Sequence, residues 1–521
     1  MTTLSLASIL AEAARWRPDK VGVIDGAQRV TYRELWQQAL GCSAALAERG
    51  IRPGDHVALM CPNVVDFPRA YYGIIAAGAV VVPVHLLLTA DEVTYVLGDS
   101  RATLLLCHLS QLAIGAKAAA AAGIPVVTIG RTSGDVEPGI DRLEDSTGGS
   151  LQHYVTRQAE DPAVVLYTSG TTGVSKGAVL TQLNLVMNAM VGVFDAHETR
   201  VQDIALGCLP LFHTFGQTVG MNGVFRRGST LVMLPRFTGE AAIELMIAEQ
   251  VDTFHGVPMM YIGLLAAAAG RTDLPRLRLC ISGGAALPGT VLQQFEKSFA
   301  TTVYQGYGLS ETSPTAATNQ SHFGTRIGTV GHPVWGVEVE IARAEVEDRI
   351  ELLPVGELGE IVIRGHNVFA GYLGRSEETA AALVDGWFRT GDLGHTDTDG
   401  FITIADRKKD VVIRGGFNVY PSEVEQVLSR HPAVAQVAVI GLPDEVHGEE
   451  ICAVVVAAEG IEFPAEDEFL AWGRQYLGRH KYPRRLELVD SLPTGPSHKV
   501  LKRELRRTYS SETQADSSAE G

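Results

Sequence analysis

Short apolar runs alternate with segments of helical period through the first part of this chain. Runs rich in Val, Leu and Ile occupy residues 57–60, 80–84, 102–106 and 126–129. Each run has the length of a strand, and the segments between them are long enough for helices. Because two parallel strands need a crossover connection, such alternation is typical of βα units. The pattern therefore predicts an α/β fold with layered, largely parallel sheets.

Two of the predicted helices begin with a clear N-terminal signal. Thr31 is followed three residues later by Glu34, and Thr89 is followed by Glu92. In such a capping box, the Thr side chain accepts a backbone N–H of the first turn, and the Glu side chain accepts the N–H of the Thr. Both helices are expected to begin at these residues.

Length and a change of pattern indicate more than one domain. A chain of 521 residues exceeds what a single core usually holds. From residue 356 the segments become shorter and rich in β-formers, and a charged run at 406–410 precedes a further helix and strands. We predict a large N-terminal domain over 1–406 with a β-rich subdomain, a small α+β C-terminal domain over 407–508, and a disordered polar tail over 509–521.

The composition argues against several kinds of partner. Acidic residues number 60 against 43 basic ones, and the net charge of −17 opposes nucleic-acid binding. The six cysteines are scattered without zinc-site spacing, which favours a reducing, cytoplasmic compartment. The longest apolar stretch, 70–88, is interrupted by Gly, Pro and His, so no transmembrane segment is predicted. A peripheral membrane contact is left open, and we expect a monomer or a homodimer.

A loop rich in Ser, Thr and Gly follows the apolar run 163–167. Its glycines allow close backbone approach to a ligand, and successive N–H groups in such a turn form an anion nest. Several hydroxyls and Lys176 add donors and a positive charge. The loop is not a Walker motif, because Gly177 follows the lysine. A flexible surface loop is the alternative, but the preceding strand and the lysine favour polyphosphate binding.

Further predicted strands end in Gly, Ser, Thr or His, at residues 253–258, 277–284 and 303–312. In open α/β sheets, ligands bind beyond the carboxyl ends of the strands. These ends are therefore expected to share one cleft.

Five segments, taken in order, resemble one family: 167–177, 305–312, 387–394, 404–421 and 492–505. The chain resembles the adenylate-forming superfamily of acyl-CoA synthetases, luciferases and peptide-synthetase adenylation domains, and is most similar to a fatty acid–CoA ligase. The resemblance implies ATP, Mg²⁺ and coenzyme A. It also implies two steps: a carboxylate attacks the α-phosphate of ATP to give an acyl-adenylate and pyrophosphate, and a thiol then displaces AMP. No enzyme nucleophile is needed, so the protein would act by positioning and by stabilising charge.

The resemblance also implies a nucleotide site. Its members are Thr168, Ser169, Gly170, Thr171, Thr172, Lys176, Gly283, Gly284, Ala285, Gln305, Gly306, Tyr307, Gly308, Ser310, Thr312, Asp392 and Arg407. Glu311, with Thr168, would bind Mg²⁺, which suits a single carboxylate and phosphate oxygens. Tyr307 would stack on adenine, Ser310 and Thr312 would contact phosphate, and Asp392 would accept from the ribose hydroxyls. Core packing for Tyr307 and turn capping for Asp392 remain alternatives.

The C-terminal segment contributes three further assignments. Lys499 matches the catalytic lysine that would bridge the carboxylate and the α-phosphate, although His498 stands where the family usually has Gly. Lys409 lies where the family has a hinge about which the small domain rotates. Gly415 and Gly416 would line the channel for the pantetheine arm of CoA.

The acyl pocket is predicted from residues 213–222, 257–261 and 282–286, with His213 as its gate. An ordinary core histidine is the alternative for His213. These stretches are mostly apolar or small and hold no Arg or Lys, which argues against a dicarboxylate such as malonate.

We therefore predict a medium- or long-chain fatty acid substrate and a role in lipid metabolism. An aryl or cinnamic acid–CoA ligase, an enzyme loading a carrier protein, and a non-enzymatic nucleotide sensor are the alternatives; retention of Lys499 argues against the sensor.

Overall fold

The chain divides into two compact units, and each of them is built from two separate segments of the sequence. Met1–Val339 and Ile363–Phe388 form the first unit, and Glu340–Val362 and Arg389–Gly521 form the second. The structure is a computed structural model, and it describes residues 3–130, 141–146, 152–168, 175–494 and 500–519.

The described α-helices are short to medium in length. In chain order they are α1 (Ala7–Trp16), α2 (Tyr32–Glu48), α3 (Asp66–Ala76), α4 (Ala90–Asp99), α5 (Leu112–Ala122), α6 (Gln182–Val191), α7 (Gly223–Arg227), α8 (Gly239–Ala248), α9 (Pro258–Ala268), α10 (Gly289–Phe299), α11 (Ser376–Ala382), α12 (Pro421–Leu428), α13 (Glu466–Tyr476) and α14 (Lys502–Ala519). Phe215–Asn222 forms a π-helical segment, and Ser310–Thr312 a 3₁₀ turn. Within the described ranges, no helix combines the length and the apolar character that crossing a bilayer requires.

The described strands are mostly four to seven residues long. They are β1 (Val21–Asp25), β2 (Gln28–Thr31), β3 (His56–Met60), β4 (Val80–Pro83), β5 (Leu104–His108), β6 (Val126–Ile129), β7 (Asp141–Arg142), β8 (Pro162–Thr168), β9 (Lys176–Thr181), β10 (Ile204–Gly207), β11 (Thr230–Met233), β12 (Thr253–Gly256), β13 (Leu279–Ser282), β14 (Val303–Gly308), β15 (Thr315–Thr318), β16 (His332–Pro333), β17 (Val337–Ala342), β18 (Gly359–Gly365), β19 (Gly371–Tyr372), β20 (Leu383–Val384), β21 (Trp387–Thr396), β22 (Ile402–Arg407), β23 (Val412–Arg414), β24 (Phe417–Val419), β25 (Val434–Asp444), β26 (Gly448–Ala457) and β27 (Arg485–Leu488).

Two large sheets organise the first unit. One has the order β16-β15-β14-β13-β12-β10-β11-β1-β2, and the other β19-β9-β8-β4-β3-β5-β6-β7. Strands β14, β13, β12, β10 and β11 are parallel neighbours, as are β8, β4, β3, β5 and β6. The largely parallel α/β arrangement predicted from the sequence is confirmed.

Both predicted capping boxes are present. The Thr31 hydroxyl accepts the Glu34 N–H at 3.3 Å, and the Glu34 carboxylate accepts the Thr31 N–H at 2.8 Å. Thr89 and Glu92 make the same pair of bonds, at 3.4 and 2.8 Å. The start of each helix is therefore fixed by local sequence, as predicted.

All six cysteines are buried and unpaired. Burial raises the pKa of five of these thiols to about 12: Cys42, Cys107, Cys208, Cys280 and Cys452. Burial also raises the pKa of Cys61 well above its usual range. These side chains serve as small apolar residues of the cores.

The second unit contains a smaller sheet of order β24-β23-β26-β25, with β27 parallel to β26. Val424, Leu428 and Phe469 are buried in the core of this unit. Gly415 and Gly416 join β23 to β24 with φ values of 55° and 82°. Two successive positive φ values suit a two-residue hairpin turn and explain the glycine pair.

Two local predictions differ from the structure. Residues 387–394, interpreted as turn-rich, belong to strand β21. Gly391 takes a φ of 71°, and the register of β21 with β22 shifts between Leu393 and Gly394. The glycines therefore bend the strand without ending it. The segment after Tyr509, predicted to be disordered, continues helix α14 to Ala519. It contains no proline and no glycine before Gly521, so nothing interrupts a helix once it has begun. The predicted domain boundary after residue 406 stays a prediction.

Candidate active site

The carboxyl ends of four parallel strands lie at one edge of the nine-stranded sheet. Strands β10, β12, β13 and β14 end at Gly207, Gly256, Ser282 and Gly308. The register pairs Gly256 with Ser282, and Ser282 with Gln305. The sheet therefore brings together the strand ends that the sequence analysis assigns to one site.

Glu311 lies in a tight turn directly after β14. The Thr312 hydroxyl accepts the Leu309 N–H at 2.8 Å, and it lies within hydrogen-bond distance of the carbonyls of Leu309 and Pro314. The Phe369 N–H donates to the Glu311 carbonyl at 2.9 Å. Thr312 is thus engaged by its own turn, and its contact with phosphate, like that of Ser310, stays a prediction.

Glu311 is buried, with 8% of the residue exposed, and two hydroxyls approach one of its carboxylate oxygens. The Tyr372 hydroxyl donates to Oε1 at 3.0 Å, and the Thr168 hydroxyl lies 3.5 Å from the same oxygen. Within the described part of the chain, Oε2 makes no hydrogen bond or ion pair. Glu311 and Thr168, predicted to share a metal ion, are therefore neighbours.

Lys176 carries the positive charge of the predicted phosphate loop, and the structure describes its side chain. Its Nζ lies 5.4 Å from the centroid of the Tyr372 ring and 3.9 Å from a carboxylate oxygen of Glu378. Lys176 pairs with Thr168 across strands β8 and β9, so both ends of the loop lie side by side. Ser169, Gly170, Thr171 and Thr172 lie outside the described residues.

Helix α4 holds both ends of this loop, which the sequence did not indicate. The Tyr167 hydroxyl donates to Asp99 at 2.7 Å, and the Tyr95 hydroxyl donates to the Ser175 carbonyl at 2.9 Å. Arg375 pairs with Asp99 at 3.0 Å. In the sequence, only the presence of Tyr95 and Tyr167 could have indicated these hydrogen bonds, because their partners Ser175 and Asp99 are distant in sequence.

Two of the predicted nucleotide-site glycines, Gly283 and Gly284, have local structural reasons to be glycine. A Cβ on Gly283 would lie 3.2 Å from the ring of Phe215, and Gly284 has a φ of +81°. Ala285 is exposed beside them, Gln305 is buried, and Gly306 and Tyr307 follow on β14. The structure thus gathers these residues at the strand ends, and their contacts with a nucleotide stay predictions.

Gly308 allows the closest approach of all. A Cβ at this position would lie 1.8 Å from the Pro314 carbonyl oxygen, so Gly308→Ala forces the turn that carries Glu311 to move. We expect a loss of about 3 kcal/mol or more in the free energy of unfolding, at the upper end of overpacking effects. Urea unfolding measures it. Gly306→Ala, whose Cβ would meet only contacts of 3.4 Å and longer, is the control and should cost far less; equal losses would contradict this explanation.

Asp392 and Arg407 form an ion pair in the second unit. Arg407 Nε lies 3.1 Å from an Asp392 carboxylate oxygen, and the two residues pair across β21 and β22. Asp392 is 4% exposed. The pair is preformed on neighbouring strands, and the predicted contact of Asp392 with the ribose stays a prediction.

Lys409 lies in the turn between β22 and β23, inside the second unit. Partial burial of its ammonium group lowers its pKa, and the nearby Arg407 lowers it further. Gly415 and Gly416 form the hairpin turn described above. The hinge role of Lys409 and the channel role of the glycines stay predictions, and Lys499 lies outside the described residues.

His213 has a histidine neighbour that the sequence analysis missed. The His85 ring lies 5.5 Å from the His213 ring and 4.3 Å from the Phe212 ring. His85 lies two residues after the end of β4, and its Nδ1 accepts the Leu87 N–H at 2.9 Å. In the sequence, a polar residue soon after a buried strand could have indicated that His85 lies near the site. The gating role of His213 stays a prediction.

Comparison with known proteins places this arrangement in a family. The AMP-binding enzyme family matches residues 10–373, and the AMP-binding enzyme C-terminal domain matches residues 423–499. The long-chain-fatty-acid–CoA ligase of Bacillus subtilis (strain 168) is 34% identical over 531 residues, which cover 96% of this chain and 94% of the relative. A feruloyl-CoA synthase from an Amycolatopsis species is 36% identical over 512 residues, covering 98% and 100%. The ATP-bound crystal structure of MatB from Rhodopseudomonas palustris has a TM-score of 0.88 at 32% identity, covering 97% of this chain and 99% of that one.

The chain belongs to the AMP-binding enzyme family, as the resemblance of its motifs predicts. It is an ATP-dependent acid–CoA ligase, and it uses ATP, Mg²⁺ and coenzyme A.

The described residues fit a Mg²⁺ ion at Glu311. Mg²⁺ prefers oxygen ligands and commonly takes only one or two carboxylates, with substrate phosphates and waters completing its shell. Glu311 supplies a carboxylate with one oxygen oriented by a hydroxyl, and Thr168 lies beside it. The donor set is therefore of the right chemistry.

Proposed function

We propose that this ligase activates a medium- or long-chain fatty acid. The observation that carries the proposal is the character of the predicted pocket: residues 213–222, 257–261 and 282–286 are mostly apolar or small and contain no Arg or Lys. Burying an acyl chain beside such surface is favourable by about 0.8 kcal/mol per methylene. The long-chain-fatty-acid–CoA ligase among the relatives supports the same substrate class.

The first half-reaction would proceed at the strand ends of the first unit. The acid carboxylate attacks the α-phosphate, pyrophosphate leaves, and the acyl-adenylate remains. Lys176 would hold the departing phosphates, and Lys499 would bridge the carboxylate and the α-phosphate. Mg²⁺, held by Glu311 and Thr168, would neutralise charge on the phosphates. In the second half-reaction, the CoA thiol attacks the acyl carbon and AMP leaves.

An aryl acid is the second candidate, and one observation favours it. The hydroxyls of Ser282 and Thr218, both in the predicted pocket stretches, are buried without a hydrogen-bond partner among the described residues. A ring hydroxyl or amine could satisfy such a group, whereas an alkyl chain leaves it unpaired at a cost of about 1–3 kcal/mol. The feruloyl-CoA synthase among the relatives points the same way.

A panel of acids decides between the two classes. For a fatty acid pocket, we expect kcat/KM to rise by up to roughly tenfold for every two methylenes until the pocket is full. The measurement is pyrophosphate release with ATP, Mg²⁺ and CoA, using straight chains from octanoate upward and a set of benzoates and cinnamates. If the aromatic acids surpass every straight chain, the fatty acid proposal is wrong.

A further inference from the structure

Tyr372 is held rigidly beside the two charged residues of the predicted phosphate site. It lies on the two-residue strand β19, which pairs with β9 so that Tyr372 is opposite Ala178. Its N–H donates to the Thr379 hydroxyl at 2.9 Å, and its ring packs edge-on against Phe369 at 4.8 Å. Backbone and ring are both fixed, so the direction of the hydroxyl is set by the fold.

One side chain reaches both charged residues. The Tyr372 hydroxyl donates to Glu311 Oε1 at 3.0 Å, while the Lys176 ammonium lies over its ring at 5.4 Å. A phenol is protonated at neutral pH, so the Tyr372 hydroxyl is the donor in this hydrogen bond and the carboxylate is the acceptor.

We propose that Tyr372 is a positioning residue: its hydroxyl orients the Glu311 carboxylate toward Mg²⁺, and its ring sets the position of Lys176 for the phosphates. The inference rests on the proposed function, because it takes Glu311 as the metal ligand. It assigns to Tyr372 a role that neither its position in the chain nor its residue type indicates.

The geometry of the carboxylate gives the physical reason. With Oε1 bound by the phenol, rotation of the carboxylate is restrained and Oε2 is the oxygen left for a cation. Lys176 also faces Glu378 at 3.9 Å, which competes with phosphate for the ammonium. The Tyr372 ring attracts the same ammonium through its π-face and restricts how far Glu378 can draw it away.

Tyr372→Phe removes only the hydroxyl and retains the ring over Lys176. We expect the Kd for Mn²⁺, measured by electron paramagnetic resonance with an ATP analogue carrying an α,β-methylene bridge, to rise about tenfold, the lower end of effects at residues that orient metal ligands. The Mg²⁺ concentration for half-maximal pyrophosphate release should rise by a similar factor, while KM for the acid stays unchanged. Tyr372→Leu, which also removes the ring, should raise KM for ATP at saturating Mg²⁺ by a further two- to fivefold.

Tyr154→Phe is the matched control. Its ring packs edge-on against Trp36 at 6.1 Å, and the hydroxyls that approach the Glu311 carboxylate are those of Tyr372 and Thr168, so both the Mn²⁺ Kd and the melting temperature should be unchanged. If Tyr372→Phe lowers the melting temperature but leaves the Mn²⁺ Kd unaltered, the tyrosine is merely structural and the inference is wrong.

Glu311→Gln separates failure of this inference from failure of the proposed function. If Tyr372 acts through Glu311, adding Tyr372→Phe to Glu311→Gln should change the Mn²⁺ Kd by less than about twofold, because effects of coupled residues are not additive. If Glu311→Gln alone leaves Mn²⁺ binding intact, Glu311 is not the ligand and the assumed site is wrong. If Glu311→Gln weakens binding and Tyr372→Phe does not, only the inference about Tyr372 is overturned.

Discussion

Glu311→Gln is expected to lower the rate of acyl-adenylate formation by about 100- to 1,000-fold, the range seen when one preorganised charge-stabilising group is removed. The amide has the size of the carboxylate, and its oxygen can still accept the Tyr372 hydroxyl, so folding should be retained. What is lost is the negative charge that the proposed site offers to Mg²⁺. Thioester formation from supplied acyl-adenylate and CoA should change little, because pyrophosphate and its metal ion belong to the first step.

Separate assays of the two half-reactions test this expectation. Adenylate formation is followed by pyrophosphate release over a range of Mg²⁺ concentrations, and thioester formation by loss of free thiol. Glu338→Gln is the control: this glutamate forms an exposed ion pair with Arg364 at 2.7 Å and should be dispensable for both steps. A Glu311→Gln enzyme with normal adenylation at ordinary Mg²⁺ would exclude Glu311 as the metal ligand.

Lys409→Pro is expected to leave adenylate formation largely intact and to reduce thioester formation by orders of magnitude. We propose that Lys409 is the point about which the segment beyond it rotates between the two steps. A hinge absorbs such a rotation in the φ and ψ angles of a few residues, and proline fixes φ near −65° while restricting the preceding residue.

Among the described residues, the proline substitution removes no backbone hydrogen bond. Lys409 is exposed, and its N–H makes no hydrogen bond within the described chain, whereas the Lys408 N–H donates to the Gly391 carbonyl at 2.8 Å. Arg506, on helix α14, donates to the Lys409 carbonyl at 3.3 Å and the Asp410 carbonyl at 3.1 Å, so the end of the turn is tied to the segment that follows it.

Lys409→Ala is the matched control, since it removes the charge but keeps the backbone free, and both steps should remain close to normal. Stopped-flow measurement of each half-reaction, with the melting temperature alongside, gives the result. Equal losses in both half-reactions, or a large fall in melting temperature, would mean that the turn is a rigid connector.

The local signals in the sequence were sufficient for much of the first unit. Apolar runs of strand length gave β3, β4 and β6 within two residues at each end, and the capping boxes at Thr31 and Thr89 placed two helix starts. Such features depend on neighbours in sequence, and their physical cause is visible there. The parallel arrangement followed because alternating strands and helices leave few other connections.

Features that depend on distant pairing were not predictable. Tyr372 reaches Glu311 across 61 residues of sequence, and only the pairing of β19 with β9 makes the contact. Asp99 and Tyr95 reach the phosphate loop in the same way, from a helix that looks ordinary in sequence. In β21 the glycines read as turn signals, but a bulge absorbs them within a paired strand.

The burial of every cysteine has a practical consequence for watching this enzyme at work. Thiol reagents act on the thiolate, so side chains that are enclosed and hold their protons should resist maleimides under native conditions. A cysteine introduced at the exposed Glu160 and another at the exposed Glu459 would then be the reactive positions, without first removing the native ones. Fluorophores attached there would report on any movement about Lys409 in real time. In a separate assay of the native enzyme, a disulfide reagent that releases a coloured thiolate would measure only the free thiol of CoA, so its loss during thioester formation could be followed directly.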